Sequence, residues 1–315
     1  FVNSMAYGPW PTFLGNDVMK QGLSVCSGWG VPNRRVLVGQ SIYSSAHYHF
    51  GWSEIRGKIR RDHADYFTRL DCDTIWESWQ HYNDKGKLDR TGNFINFTGP
   101  STYRAKCNRA RMEGYGGVMS WGYYSDSSWG DADLLSLGRN QWQAIWPHDY
   151  LWPTPEQDTS DGFYLLDSEE DWFWFQDNPD NNVRLAGDIT FTHDPLPIAS
   201  FSHTLDGAGH TLTLPKDVWL CTFGNTALIN RLTGAVKNLT VVLEGRVVCR
   251  ADREADKNVM GGSTMPSGQF YSATQTHAGT VTGDGRAAVL AAELSDPGKV
   301  ENVTIRIAEG AEVQG

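Results

Sequence analysis

The chain has little that would staple or anchor it. Five cysteines in 315 residues are too few for a disulfide scaffold, and their odd number leaves at least one thiol unpaired. Cys26, Cys72, Cys107, Cys221 and Cys249 form no CxxC pair, which argues against structural zinc. No apolar run approaches the roughly 20 residues needed to cross a bilayer. Basic charge is scarce too: the formal net charge is −10, with a pI near 5.3, which excludes a dominant nucleic-acid-binding face. The residues from Phe1 onward are strand-like, without a charged and apolar leader. The expectation is that the polypeptide's own start lies elsewhere.

What is present suffices for a packed fold: 40 % of residues are apolar, 20 % charged, and 33 are Gly. Charge and aromatic rings are unevenly spread. Residues 1–152 carry 16 Lys+Arg against 14 Asp+Glu, whereas residues 153–315 carry 11 against 23. Of 25 Trp+Tyr, 20 precede residue 153. Two different kinds of domain explain this most simply. A near-neutral, Trp/Tyr-rich domain suits carbohydrate, because sugar rings stack on aromatic faces; bulky rings filling a large core are the other reading. Sequons stand at Asn96, Asn238 and Asn302 and matter for a secreted eukaryotic chain.

In the first half, Phe1 to Tyr7 reads as a buried strand stopping at Gly8-Pro9. Asn16 to Ser27 reads as a helix, and Val36 to Tyr43 as a nearly continuous apolar run typical of a parallel strand covered on both faces. Helical stretches are expected within 53–82, including Asp73 to Tyr82 with Ile75, Trp76 and Trp79 on one side. A turn at Asp84–Lys87, a short strand at Asn93–Phe97 and a helix from Pro100 to Glu113 follow. Gly117 to Trp121 is a further buried strand, and Asp131 to Trp146 a closing helix. This βα rhythm belongs to a parallel sheet or barrel. Only about three units are present, where a closed (β/α)8 barrel needs eight in ~250 residues.

These residues carry a resemblance. Val2-Asn3 with Met5-Ala6-Tyr7 resembles strand six of glycoside hydrolase family 18, usually Met-x-Tyr followed by Asp or Asn. Val36 to Tyr43 is similar to its strand seven, with Ser41 in place of Pro, and Gly116-Gly117-Val118-Met119-Ser120-Trp121 resembles its strand eight. The resemblance covers residues 1–146. It implies the C-terminal part (residues 1–148) of a (β/α)8 TIM barrel of chitinase or endo-β-N-acetylglucosaminidase type, with the remainder of the barrel upstream. It implies hydrolysis in which the substrate's own acetamido group attacks the anomeric carbon. On that resemblance Tyr7 would be the catalytic contact to the acetamido group. Met5 would line the pocket floor, Trp121 would carry the sugar at the cleaved bond, and Tyr43 would stand at the rim. No cofactor and no metal is implied. The family's acid run Asp-x-x-Asp-x-Asp-x-Glu occurs nowhere in the chain, and Gly8 stands where Asp or Asn is usual.

Other polar and aromatic residues read more blandly. His47 and His49 share one face of a strand and could hold a metal, but no third ligand accompanies them. Trp52, Trp76 and Trp79 read as packing rather than sugar subsites, and Asp126 and Asp131 as residues of solvated loops.

Residues 149–161 are rich in Pro, Asp and Thr and read as a linker. Beyond it, Gly162 to Leu166 reads as a strand, Ser168 to Gln176 as a capped helix and Val183 to Phe191 as a strand. An internal repeat follows: Val236-Lys-Asn-Leu-Thr-Val-Val-Leu matches Val300-Glu-Asn-Val-Thr-Ile-Arg-Ile, and Leu205 to Leu214 is a third strand unit with a Gly turn. The pattern points to an all-β parallel solenoid over 162–315, continuing beyond the chain, with Asn ladders at the turns; an antiparallel sandwich is the alternative. Arg250 to Thr282 reads as an insertion between coils. If so, Val236, Leu239 and Val241 stack on Val300, Val303 and Ile305, with Thr240 and Thr304 facing outward. Asp188, Asp206 and Asp252 are scattered as turn residues rather than clustered for catalysis. The expected whole is a secreted or cell-surface protein that acts on or binds glycan, with no nucleic-acid partner and no membrane span. A structural matrix protein with a degenerate barrel is the other possibility carried by the same residues.

Overall fold

The computed structural model describes residues 1–4, 17–40, 74–75, 79–82, 85–92, 95–96, 98–120, 152–250, 278–279 and 285–314. The chain divides into two compact units, one of residues 1–142 with 251–281, the other of residues 143–250 with 282–315.

In the first unit, β1 (Val2–Ser4), α1 (Asp17–Gly28) and β2 (Val36–Gln40) open the described structure. The helix ends where Gly28 and the left-handed Gly30 stand, as the sequence suggests. Two-residue β3 (Thr74–Ile75), then β4 (Trp79–Tyr82), β5 (Leu88–Gly92) and β6 (Ile95–Asn96) follow. At 74–75 and 79–82 the helix expected over 73–82 is therefore corrected to strand. β4 and β5 form an antiparallel hairpin across the Lys85-Gly86-Lys87 turn, where Gly86 takes a φ of 69°. Aromatic and β-compatible residues beside a Gly turn outweigh the weak helical spacing of Ile75, Trp76 and Trp79. Helix α2 (Pro100–Met112) begins with Pro at its first position, where the missing N–H is no loss. β7 (Gly117–Ser120) completes the series.

β1, β2 and β7 form one sheet in that order, and both pairings are parallel. Ser4 lies opposite Val38, and Gln40 opposite Ser120. The strands approach closely because Gly116 and Gly117 lack side chains. A Cβ at Gly116 would stand 2.3 Å from the Arg34 carbonyl oxygen, and one at Gly117 2.9 Å from the Leu37 side chain. Helix α2 is buried over most of its length, with Met112 exposed at its end. Tyr103, Cys107 and Ala110, the expected inner face, are buried, but so are Arg104, Lys106, Asn108 and Arg111. Lys106 Nζ donates to Thr98 Oγ1 at 3.3 Å, and Arg111 Nη1 to Asn108 Oδ1 at 3.0 Å.

The second unit opens with β8 (Tyr164–Leu166) and α3 (Glu169–Asp177). Ser168 caps α3 with a reciprocal box: its Oγ accepts from the Asp171 N–H, and the Asp171 carboxylate accepts from the Ser168 N–H. The segment expected as one strand over 183–191 is broken into β9 (Val183–Leu185) and β10 (Ile189–Thr190), with Gly187 between them. Then come β11 (Thr204–Asp206), β12 (Thr211–Leu214), β13 (Trp219–Phe223), β14 (Ile229–Leu232), β15 (Ala235–Leu243) and β16 (Arg246–Arg250). After Arg250 the chain passes to the first unit, where β17 (Ala278–Gly279) pairs antiparallel with β3. It returns as β18 (Ala291–Leu294), β19 (Lys299–Ile307) and β20 (Glu312–Gln314).

All the strand pairings in this unit are parallel among the described strands, and they superpose equivalent residues in columns. Val183, Leu205, Val236 and Val300 form one column; Leu212, Val241 and Ile305 form a second. Val236, Leu239 and Val241 lie opposite Val300, Val303 and Ile305, so the 64-residue separation spans one step with residues 251–281 diverted. Val236 and Leu239 are both buried although three apart, because Asn238 between them adopts a left-handed φ of 52° and resets the alternation. Asn302 does the same one step on. Thr240 is half-buried and Thr304 exposed, unlike the buried residues on either side of Thr240. The aromatic residues of α3 join this core: Trp172 meets Phe175 and Phe191 edge to face at 5.4 and 5.7 Å.

Candidate functional site

Met5, Tyr7, Tyr43 and Trp121 all lie outside the described residues, as do Gly8, His47, His49, Asp126 and Asp131. What the structure describes is the set of strands from which the first four follow. Met5 is bonded directly to Ser4 at the end of β1, and Tyr7 comes two residues later. Tyr43 follows the end of β2 by three residues, and Trp121 is bonded to Ser120 at the end of β7. The three strands run parallel, so these ends share one edge of one sheet. The carboxyl edge of a parallel sheet is where α/β folds place their ligands, because the connecting loops converge there.

At this edge stands a residue that motif reasoning passes over. Gln40 ends β2, the central strand, and is 1 % exposed. Neither its Nε2 nor its Oε1 has a hydrogen-bond partner. Burying an amide without partners costs about 1–3 kcal/mol for each group. On β2 it follows Val36 and Val38 at the period-2 spacing, so all three belong to one face of the strand. Ser4, at the end of β1, is also buried. The signal in the sequence was a polar residue closing an apolar run, Val-Leu-Val-Gly-Gln, where the strand is buried on both faces.

In the second unit several charged groups engage one another. Arg184, Asp206, Lys237 and Glu301 occupy one column in strand register, with signs alternating. Arg184 reaches Asp161 at 2.6 Å, Asp158 at 3.4 Å and Asp206 at 3.8 Å, while Lys237 Nζ lies 3.3 Å from Asp206. Burial disfavours the Asp206 carboxylate. The Ala208 N–H, the Asn238 amide and Lys237 outweigh that effect and hold it below the usual carboxylate range. Asp188 likewise serves a turn, accepting from the Thr211 N–H at 2.9 Å; Asp252 is outside the described residues. The Asp206 and Asp188 carboxylates are thus each engaged by a neighbour. Among the described residues no group of three or more His, Cys, Asp and Glu could hold a metal ion. None of their helices is long and apolar enough to cross a membrane.

No family model, no curated protein and no solved structure matches this chain.

Proposed function

We propose that residues 1–148 are the C-terminal part of a family-18-like (β/α) barrel, joined to a β-solenoid over 162–315. The function proposed is that of part of a secreted or cell-surface glycoside hydrolase acting on β-N-acetylglucosaminides, of chitin or N-glycan type. The observation that carries it is the parallel order β1, β2, β7. Those strands begin the three segments that resemble strands six, seven and eight, in the same sequence and at one edge. The columns of in-register residues in the second unit support the solenoid.

In this reaction the acetamido oxygen of the substrate bonds to the anomeric carbon as the glycosidic bond breaks, and a general acid protonates the leaving oxygen. Tyr7 steadies the cyclic intermediate, Trp121 and Met5 hold the sugar against the pocket, and Tyr43 closes the rim. The acid is not in this chain, which has no Asp-x-x-Asp-x-Asp-x-Glu run. Gly8 favours a second reading, a non-catalytic glycan-binding relative, because glycine supplies no side-chain partner where the family has Asp or Asn.

Incubation of the purified chain with a chromogenic N-acetylglucosamine oligomer, alongside calorimetric titration with the N-acetylglucosamine tetramer, tests the proposal. Binding without turnover is the expected result. Absence of binding overturns it, and turnover lost on mutating an acid within residues 1–315 refutes the placement of the acid.

A further inference from the structure

We infer that the last step of the second unit is a docking surface for a β-solenoid coil carried by a partner polypeptide. The coil adds to β19 as a parallel strand of the pattern apolar-basic-Asn-apolar-x-apolar-x-apolar. The inference stands on the stacking of the second unit and is independent of the glycan reading.

Equivalent inward residues change from buried to exposed between the last two steps. Val236, Val241 and Leu243 of β15 are completely buried, whereas Val300, Ile305 and Ile307, opposite them on β19, are 43 %, 45 % and 56 % exposed. The same change separates Leu232 from Leu294 on β18, and Val247 from Val313 on β20. Three sheets thus present the apolar section of a coil whose far side is open, an exposed patch of the kind that marks an interaction surface.

Two polar columns define what covers it. The asparagine ladder has a direction: Asn238 Nδ2 donates to Asp206 Oδ1, and Asn302 Nδ2 donates to Asn238 Oδ1. Asn302 Oδ1 is the next acceptor in that series, placed for the amide of another asparagine at the same left-handed bend. The charge column ends on an acid. Arg184, Asp206, Lys237 and Glu301 alternate in sign, and Glu301 is exposed and makes no ion pair among the described residues, so the place beyond it calls for Lys or Arg. A second copy of the chain fits poorly on two counts. Its first step is closed, because residues 156–158 run along the outer edge of β8: the Leu165 N–H donates to the Glu156 carbonyl and the Asp158 N–H to the Phe163 carbonyl, both at 2.8 Å. Two last steps placed face to face bring acid to acid, since residues 153–315 carry 11 Lys+Arg against 23 Asp+Glu. A strand with a basic residue beside its asparagine satisfies both columns, and main-chain pairing to the open edge of β19 supplies the attachment.

The test uses the whole chain and a synthetic peptide with the sequence of residues 235–248, which carries Lys and Asn at the two places just named. Affinity is read by fluorescence anisotropy, and amide hydrogen exchange is read at Lys299–Ile307. The peptide is expected to bind and to slow exchange along β19. The same peptide with Lys237→Glu is expected to bind roughly 5- to 10-fold more weakly. Glu301→Lys in the chain, a change at an exposed side chain, is expected to reverse that preference. Absence of peptide binding overturns the inference, as does binding that neither charge change alters or that leaves exchange along β19 unchanged. A dimer of the chain alone in sedimentation, with the same amides protected, assigns the surface to a second copy and also overturns it. Failure of the chain to bind the N-acetylglucosamine tetramer overturns the glycan reading and leaves this inference standing.

Discussion

Asn238→Ala should loosen the second unit by about 3 kcal/mol, a figure that follows from three separate losses at one turn. Asn238 Nδ2 donates to the Asp206 carboxylate at 3.1 Å, and its Oδ1 accepts from Asn302 Nδ2 at 2.9 Å. A hydrogen bond to a charged group contributes about 1.5–3 kcal/mol and one between neutral amides about 0.5–1.5 kcal/mol. The half-buried setting of Asn238 places both near their lower ends. The backbone supplies the third loss. At a φ of 52° asparagine is tolerated, whereas alanine costs roughly 1 kcal/mol. Asn238→Gly relieves that strain and loses only the hydrogen bonds, so it should cost about 2 kcal/mol. Asn302→Ala, on the exposed last step, loses one bond and the same backbone preference, about 1.5 kcal/mol. Amide hydrogen exchange of the full chain, read at Ala235–Leu243, reports these losses at the strands concerned. Equal effects of Asn238→Ala and Asn238→Gly would refute the backbone argument. An Asn238→Ala cost below about 1 kcal/mol would refute the ladder itself.

Other perturbations follow from the same geometry. A Cβ at Gly234 would stand 2.0 Å from the His203 carbonyl oxygen and 2.5 Å from the Ser202 carbonyl carbon. Gly234→Ala should therefore cost roughly 3 kcal/mol or more, whereas Gly209→Ala, at φ 88° with open space around it, should cost about 1 kcal/mol; thermal melts of the two variants check the difference. Asp206 has its folded-state pKa below the unfolded value near 3.9. It therefore contributes stability that is present above about pH 4 and is lost as the pH falls through the folded pKa. Denaturant titrations between pH 3 and 6 should show that slope, and Asp206→Asn should flatten it. Cys221 and Cys249 are buried, and burial raises the Cys249 thiol pKa. Both should resist Ellman's reagent in the native chain and react on unfolding; prompt native reaction of either would contradict the packing.

The second unit was legible where its sequence repeats itself. Val-x-Asn-x-Thr recurs because each turn needs the same left-handed asparagine and each strand the same inward residues, so the register of β15 on β19 could be written down from spacing alone. The charge column was not legible. Arg184, Asp206, Lys237 and Glu301 are separated by unequal stretches of chain and become neighbours only when the strands stack. In the first unit the parallel strands were readable from their apolar runs. The β4–β5 hairpin was not, because Ile75 and Trp79 stand at a helical spacing although both lie in strands, and pairing across Gly86 decided the matter. The candidate residues Met5, Tyr7, Tyr43 and Trp121 came from the resemblance, whereas Gln40 came from burial and unpaired atoms. No spacing pattern announces a missing partner.

That contrast bears on where function resides. In the second unit the buried polar groups serve the stack: Asp194 accepts from the Trp219 N–H at 2.9 Å, and Thr222 Oγ1 lies 2.7 Å from Thr226 Oγ1. Its exception among the described side chains is Trp172 Nε1, a single donor on an otherwise apolar ring packed against Phe175 and Phe191. Residues there are explained by the contacts they make within the unit, and removing one is read as lost stability. Gln40 is the opposite case. It sits at the end of a strand whose residues Val36 and Val38 are buried and apolar, where leucine or methionine would fill the space at lower cost. Its cost is not repaid by a contact within the described residues. The columns of the second unit have such contacts on both sides of each inner residue, and the end of β2 does not.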